Sequence, residues 1–234
     1  VAEGFGHEGL SDPEVDAAVR ATAQRLGEAG MTVEDVSIPW HLYGLGIWNV
    51  IATDGATAQM IEGNAYGYNF NGWYDPELMA HYGRQWRERA DHFSVTTKMV
   101  ALAGGHSLAT NYGRYYAMAQ NLVPSLRRAY DDALERYDVL VMPTLPITAT
   151  TLVSDEDDLG TSVTRALEMI VNTAPTDCTG HPSTSVPAGL VHGLPVGIMV
   201  LGKHFEDATC LKVAKVIESQ AGGFPRPPEG SSPS

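Results

Sequence analysis

Cysteine, basic charge and long apolar runs are all scarce in this 234-residue chain. The two cysteines, Cys178 and Cys210, stand apart without a Cys-x-x-Cys spacing, so neither a disulfide framework nor a thiolate zinc site is indicated. That usage fits a reducing cytoplasm. Only 15 Lys and Arg stand against 28 Asp and Glu, giving a net charge of −13, and the basic residues form no dense cluster. Phosphate recognition needs a basic face, so a nucleic-acid partner is not expected. No apolar run approaches the ~18 residues of a membrane span, and no signal peptide is visible. The eight histidines contain no His-Glu-x-x-His and no i, i+4 pair on one helix. No metal and no other cofactor is therefore expected.

A recognisable nucleophile is also missing. No Gly-x-Ser-x-Gly elbow occurs. Gly104-Gly105-His106-Ser107 has no following glycine and reads as a helix break. Ser183 and Ser185 read as strand and turn hydroxyls satisfied by the backbone. Lys98 and Lys203 offer no serine pairing, and Lys212 and Lys215 read as the solvated face of a helix.

What is present is globular in character, with 44% hydrophobic and 18% charged residues. The length suits one large domain or two small ones. Ser11-Asp12-Pro13-Glu14 is a helix start, with a capping residue before a first-turn proline. Val15, Ala18, Val19, Thr22 and Leu26 follow at helical spacing as far as Gly30. Thr32–Ile38 is β-rich and stops at Pro39; Val1–Phe5 looks like the tail of a strand. A helix is expected over 44–61, carrying Trp48, and Gly63–Gly72 reads as a loop. Val95–Ala103 and Thr110–Arg136 are predicted helices, the second with a core stripe of Tyr115, Ala119, Leu122, Leu126, Ala129, Ala133 and Tyr137 and with Pro124 as a kink. Asp138–Pro143 reads as a buried strand. Asp155–Asp158 reads as a solvated acidic loop, Ala166–Val171 as a short helix and Asp207–Glu218 as the last one. Residues 222–234 read as a disordered Pro/Gly/Ser tail.

The densest information lies between Asn172 and Phe205. Pro175, Pro182, Pro187 and Pro195 and several glycines surround two apolar runs, Thr184–Val186 and Val196–Leu201. Proline fixes φ and removes a donor, whereas glycine permits positive φ, so the stretch predicts strand, tight turn, strand. Asp177, in Asn172-x-x-Pro175-x-Asp177, is either the anchor of an Asx-turn or a ligand-binding carboxylate.

Thr-Gly-His-Pro, Ser-Val-Pro-Ala-Gly, Gly-Leu-Pro-Val-Gly and Phe-Glu-Asp in this order resemble the C-terminal hallmark of the amidase signature family. Tyr137–Pro146, a buried strand ending in Pro-Thr-x-Pro, resembles that family's second C-terminal landmark. Glu3–His7, Asp12-Pro13-x-Val15 and Gly113–Leu122 look closer to its nitrile-hydratase-associated enantioselective amidases. The resemblance implies an α/β fold, with residues 1–221 as the C-terminal part of an α/β/α sandwich around a mixed central sheet. It implies carboxamide hydrolysis to acid and ammonia through a Ser–cis-Ser–Lys triad. The family's Gly-Gly-Ser-Ser-Gly-Gly loop does not occur here, so the triad is expected in a preceding N-terminal half and this chain alone is expected to be inactive. Trp48 and Ile170 resemble residues lining the acyl side of the pocket. The implied partners are a small amide substrate, the N-terminal half of the same enzyme and a second copy in a homodimer. A tRNA-dependent amidotransferase subunit shares the family core, and a non-catalytic binding remnant is the reading from another class.

Overall fold

The computed structural model describes residues 1–64, 72–154 and 156–221. The expected tail over 222–234, most of the loop expected over Gly63–Gly72, and Asp155 lie outside them. In chain order the regular elements are α1 (Pro13–Glu28), α2 (His41–Gly55), α3 (Pro76–Glu88), α4 (Val95–Asn111), α5 (Arg114–Leu134), β1 (Val139–Pro143), α6 (Leu159–Leu167), α7 (Ala174–Thr179), β2 (Ser183–Val191), β3 (Leu194–Gly202) and α8 (Asp207–Gln220). A π-helical stretch, Ala56–Glu62, continues α2, and a 3-10 turn, Glu168–Val171, follows α6. No helix among the described residues is long and apolar enough to cross a membrane. The class is α/β, as expected from the sequence.

The chain divides into two compact units. One comprises Val1–Pro39, Tyr130–Ala149 and the chain from Gly180 onward. Its sheet has the order β1-β3-β2 with antiparallel pairing throughout. Strands β2 and β3 form the predicted hairpin, turning through His192 and Gly193 at φ 51° and 79°. Positive φ at both central residues belongs to a type I′ turn, whose twist matches that of paired strands. Both strands outrun the apolar runs that announced them. Pro187 lies inside β2, beside a register irregularity, and Pro195 inside β3. An edge strand tolerates the donor that Pro187 removes.

Val15, Val19, Ala23 and Leu26 of α1 and Cys210, Val213 and Ile217 of α8 join Val186, Val196, Ile198 and Val200 of the sheet in one buried cluster. Each fully buried aliphatic side chain there is worth roughly 1.5–3 kcal/mol of transfer free energy. Met199 and Leu201, which alternation places on the opposite face of β3, are buried as well. The first helix begins as predicted, with the Asp12 carboxylate accepting from the Glu14 N–H at 2.9 Å. His192 reaches the same cap, Nε2 to Asp12 Oδ2 at 3.1 Å.

Two expectations for this unit fail. Thr32–Ile38 is no strand. The Ala2 N–H donates to Val36 O at 2.8 Å, while the Ile38 N–H donates to the Glu3 carboxylate at 2.7 Å. A carboxylate thus fills a place that a strand neighbour would take. Ala2–Gly4 is a 3-10 turn rather than a strand tail, and Gly4 packs where a Cβ would come within 2.8 Å of Met142.

The other unit, Trp40–Ala129 with Thr150–Thr179, is helical. Its α2 packs against α4, α7 and the Ala56–Glu62 stretch. Helix α3 was not read from the sequence, although Asp75-Pro76 repeats the cap-and-proline signal of Asp12-Pro13 and Asp75 accepts from the Leu78 N–H at 3.0 Å. Asp158 caps α6 through the Thr161 N–H at 2.7 Å, and Asp157 accepts from the Ser154 N–H at 2.7 Å, so the acidic loop is structured by its own carboxylates. Along α5, whose residues from Tyr130 onward belong to the first unit, the buried stripe is Ala119, Val123, Leu126, Tyr130, Ala133 and Leu134. The expected Tyr115 and Leu122 are 50% and 44% exposed, an offset of one position around the helix.

Gly104-Gly105 is not a break either; it lies inside α4. A Cβ on Gly104 would collide with the Thr57 hydroxyl and come within 2.6 Å of the Thr53 carbonyl, whereas one on Gly105 would meet nothing within 4 Å. The two neighbours should therefore respond oppositely to alanine. Gly104→Ala is expected to destabilise by about 1–3 kcal/mol through overpacking. Gly105→Ala is expected to stabilise by up to about 1 kcal/mol through helix propensity. Denaturant midpoints of the two variants check this; a neutral Gly104→Ala would show that the contact relaxes freely.

Candidate functional site

Trp48, singled out from the sequence, lies on α2, and the elements carrying Asp177 and Ile170 pack against that helix. His41, Gly44 and Trp48 recur at i, i+3 and i+7, the spacing that puts side chains on a common helix face. Asn172, Pro175 and Asp177 meet them. His41 Nε2 lies 3.0 Å from Asn172 Oδ1, and both residues are buried. Gly44 approaches Pro175 so closely that a Cβ would stand 2.8 Å from the proline Cα. The Trp48 side chain is hydrogen-bonded to Asp177; an indole is donor only, so the carboxylate accepts. Ile170 lies on the 3-10 turn Glu168–Val171, which also packs against α2, and is half-buried.

Trp48 is therefore half-buried, held by its polar edge and not sealed in the core. Asp177 lies within α7 instead of in a loop turn, so the Asx-turn expectation is replaced by the bond from the indole. Desolvation raises the Asp177 pKa above the usual carboxylate value, and the Trp48 bond opposes the shift without cancelling it. Burial pushes the neighbouring Cys178 thiol up to about 11, so it stays protonated and a poor nucleophile at neutral pH.

The hydroxyls and amines considered for chemistry have ordinary neighbours. Ser185 Oγ lies 2.7 Å from Thr144 Oγ1. Ser107 donates to the buried Asp54 carboxylate at 3.3 Å. Lys98 donates to the Asp91 carbonyl at 2.7 Å, and Lys203, Lys212 and Lys215 are exposed.

A family model described as Amidase matches residues 2–211. The chain belongs to the amidase family. Over 233 residues it is 50% identical to the enantioselective amidase of Rhodococcus rhodochrous, covering 99% of this chain and 45% of that protein. It is 56% identical over 186 residues to an uncharacterised protein of the nthA 5′ region of Rhodococcus erythropolis, covering 80% of this chain and 94% of that one. Among solved structures, a glutamyl-tRNA(Gln) amidotransferase subunit of Thermotoga maritima superposes with a TM-score of 0.65 at 25% identity, over 93% of this chain and 42% of that chain. This amidase-family chain thus spans less than half of two of these relatives. The resemblance read from Thr-Gly-His-Pro onward is borne out.

His41 was not singled out from the sequence. Its signal was the shared spacing with Gly44 and Trp48, which gains meaning only once Asn172-x-x-Pro175-x-Asp177 is seen as its counterpart.

The raised pKa of Asp177 has a definite consequence. The folded protein binds this proton more tightly than the unfolded chain does. The contribution of Asp177 to stability is therefore most favourable below the unfolded pKa of 3.8 and is lost as pH rises through the elevated folded value. Asp177→Asn keeps an acceptor for the indole and removes the titration. Its urea midpoint is expected to gain on that of the unsubstituted protein between about pH 4 and about pH 7. A midpoint that falls behind over that range would show that the charged form is the stabilised one.

Proposed function

We propose that this chain is the C-terminal portion of an amide hydrolase and forms the acyl-side wall of a pocket whose nucleophile comes from the portion preceding it. The observation that carries this reading is the 50% identity with the enantioselective amidase over 99% of this chain. In the mechanism, a Lys acting through a bridging Ser activates a second Ser, which attacks the amide carbon. Ammonia leaves, and water hydrolyses the acyl-enzyme. The residues on and around α2 suit the wall. An indole whose N–H is engaged by Asp177 has one orientation, and a ring with Ile170 nearby gives an apolar acyl group shape and burial without competing for its amide. The substrate is a small aliphatic or aromatic carboxamide, and the assembled enzyme is a cytoplasmic homodimer.

A second reading, a tRNA-dependent amidotransferase component, is supported by the superposition on the Thermotoga maritima protein. The net charge of −13 weighs against it, because charged tRNA would need a basic face.

An exchange separates these readings. This chain, substituted for the matching 45% of the Rhodococcus rhodochrous enzyme, should yield a protein that releases ammonia from benzamide or propionamide. The 234-residue chain by itself should release none. A folded exchange protein without amide hydrolysis would favour a binding remnant, and glutamine hydrolysis that depends on charged tRNA would favour the amidotransferase.

Within the active exchange protein, Trp48→Ala and Ile170→Ala should alter acyl preference. Loss of an apolar wall costs on the order of 1–3 kcal/mol of discrimination, about ten- to two-hundredfold in relative kcat/KM. The readout is the ratio of kcat/KM for an aromatic and a small aliphatic amide. Equal losses on both would assign Trp48 to packing alone.

A further inference from the structure

Far from α2 in sequence, three ligand-type side chains meet within the sheet-bearing unit. Asp131 comes from the last turn of α5, His181 from the residue pair leading into β2, and His204 from the connection between β3 and α8. One ligating atom from each lies within 4.8 Å of the other two. His181 Nε2 stands 3.1 Å from Asp131 Oδ1, and the His181 side chain is fully buried. The imidazoles of His181 and His204 lie face to face, with centroids 4.1 Å apart and planes inclined by 31°. His204 Nε2 is buried and has no hydrogen-bond partner among the described residues.

A buried ring nitrogen left without a partner costs free energy, so its placement beside a second imidazole and a carboxylate needs a reason. We propose that Asp131, His181 and His204 form a zinc-type site, binding one divalent transition-metal ion through two imidazoles and a carboxylate.

Spacing and chemistry agree with this. Zinc bonds of about 2.0–2.2 Å to nitrogen and oxygen put neighbouring ligand atoms of a tetrahedron ~3.3 Å apart. The 3.1 Å between His181 Nε2 and Asp131 Oδ1 is already close to such an edge. The remaining contraction falls to His204, which is only half-buried and lies on a connection rather than in a strand or helix. Two imidazoles with one carboxylate are donors of intermediate softness, suited to Zn²⁺ or Co²⁺ rather than Ca²⁺ or Mg²⁺, which prefer oxygen alone. Water completes the fourth position. The ion would tie the end of α5 to both ends of the β2–β3 hairpin, a cross-link between segments 50 and 23 residues apart in sequence (Asp131 to His181 to His204). No sequence spacing announced it, because each ligand comes from a different element.

The test uses metal alone. Purified protein should compete for Zn²⁺ with a chromophoric chelator at one equivalent, and Co²⁺ should give the visible ligand-field absorption of a low-coordinate nitrogen–oxygen site. Excess Zn²⁺ should raise the thermal midpoint, as expected of a ligand held only by the folded state. His204→Ala and Asp131→Ala should each weaken binding by at least the ~10–100-fold that loss of an outer-shell partner alone can cost. His192→Asn, which alters a separate, exposed imidazole–carboxylate contact (with Asp12) but suits its positive-φ turn, should leave binding unchanged. Absence of stoichiometric Zn²⁺ binding by the unsubstituted protein would overturn the proposal whatever the variants do, leaving only a hydrogen-bonded His181–Asp131 pair with His204 stacked beside it. Binding that survives His204→Ala, or disappears with His192→Asn, would overturn it equally.

Discussion

From Val196 onward strand β3 has no solvated face, and the sheet-bearing unit is organised around that fact. Ile198 and Val200 look toward α1 and α8, while Met199 and Leu201 are buried on the reverse side. A strand in this position must be paired along both edges, since an unpaired buried backbone group costs as much as a lost hydrogen bond. Strands β1 and β2 do this antiparallel, one on each side. The register of β2 is set by the two-residue turn at His192-Gly193, and a slip of β2 by one residue would turn Val186 away from the helices. The helix cap at Asp12 joins the same turn through His192. Hairpin geometry and the start of α1 are thus tied together locally.

The helical unit depends on a different principle. Its buried residues include His41, Asp54, Thr57, Asn172, Thr176 and Thr179, a polar set where the other unit has aliphatics. Polar pairs of this kind gain little net free energy when made and cost much when broken. They therefore select one arrangement rather than add greatly to stability. On α2 the pairs are graded along one face, from the buried His41–Asn172 contact, through the close approach of Gly44 to Pro175, to the half-exposed Trp48–Asp177 bond.

One short stretch takes part in both units. Residues 172–177 belong to the helical unit and 180–202 to the sheet-bearing one, so a run of about thirty residues carries contacts essential to both. Substitution within it would disturb two separate packings. That constraint comes from packing.

Much of the fold was legible in the sequence alone. The cap and proline at Asp12-Pro13, the hairpin between Ser183 and Gly202, the buried strand at Val139 and the last helix at Asp207 all rest on local rules, in which a residue and its near neighbours decide the backbone. Those rules also carried the family resemblance. The failures share the opposite property. Thr32–Ile38 had strand composition, but its neighbours are Ala2 and the Glu3 carboxylate, supplied from some thirty residues away. Gly104-Gly105 looked like punctuation, yet Gly104 is there to admit the Thr53 backbone. The contacts of Trp48 with Asp177, of His41 with Asn172 and of Asp131 with His181 and His204 bring together positions separated by tens to more than a hundred residues. By itself, then, the sequence determined the class of fold, most element positions and the family. Tertiary structure alone decided which polar groups meet, because a side chain's partner depends on how elements pack and not on the composition of the element that carries it.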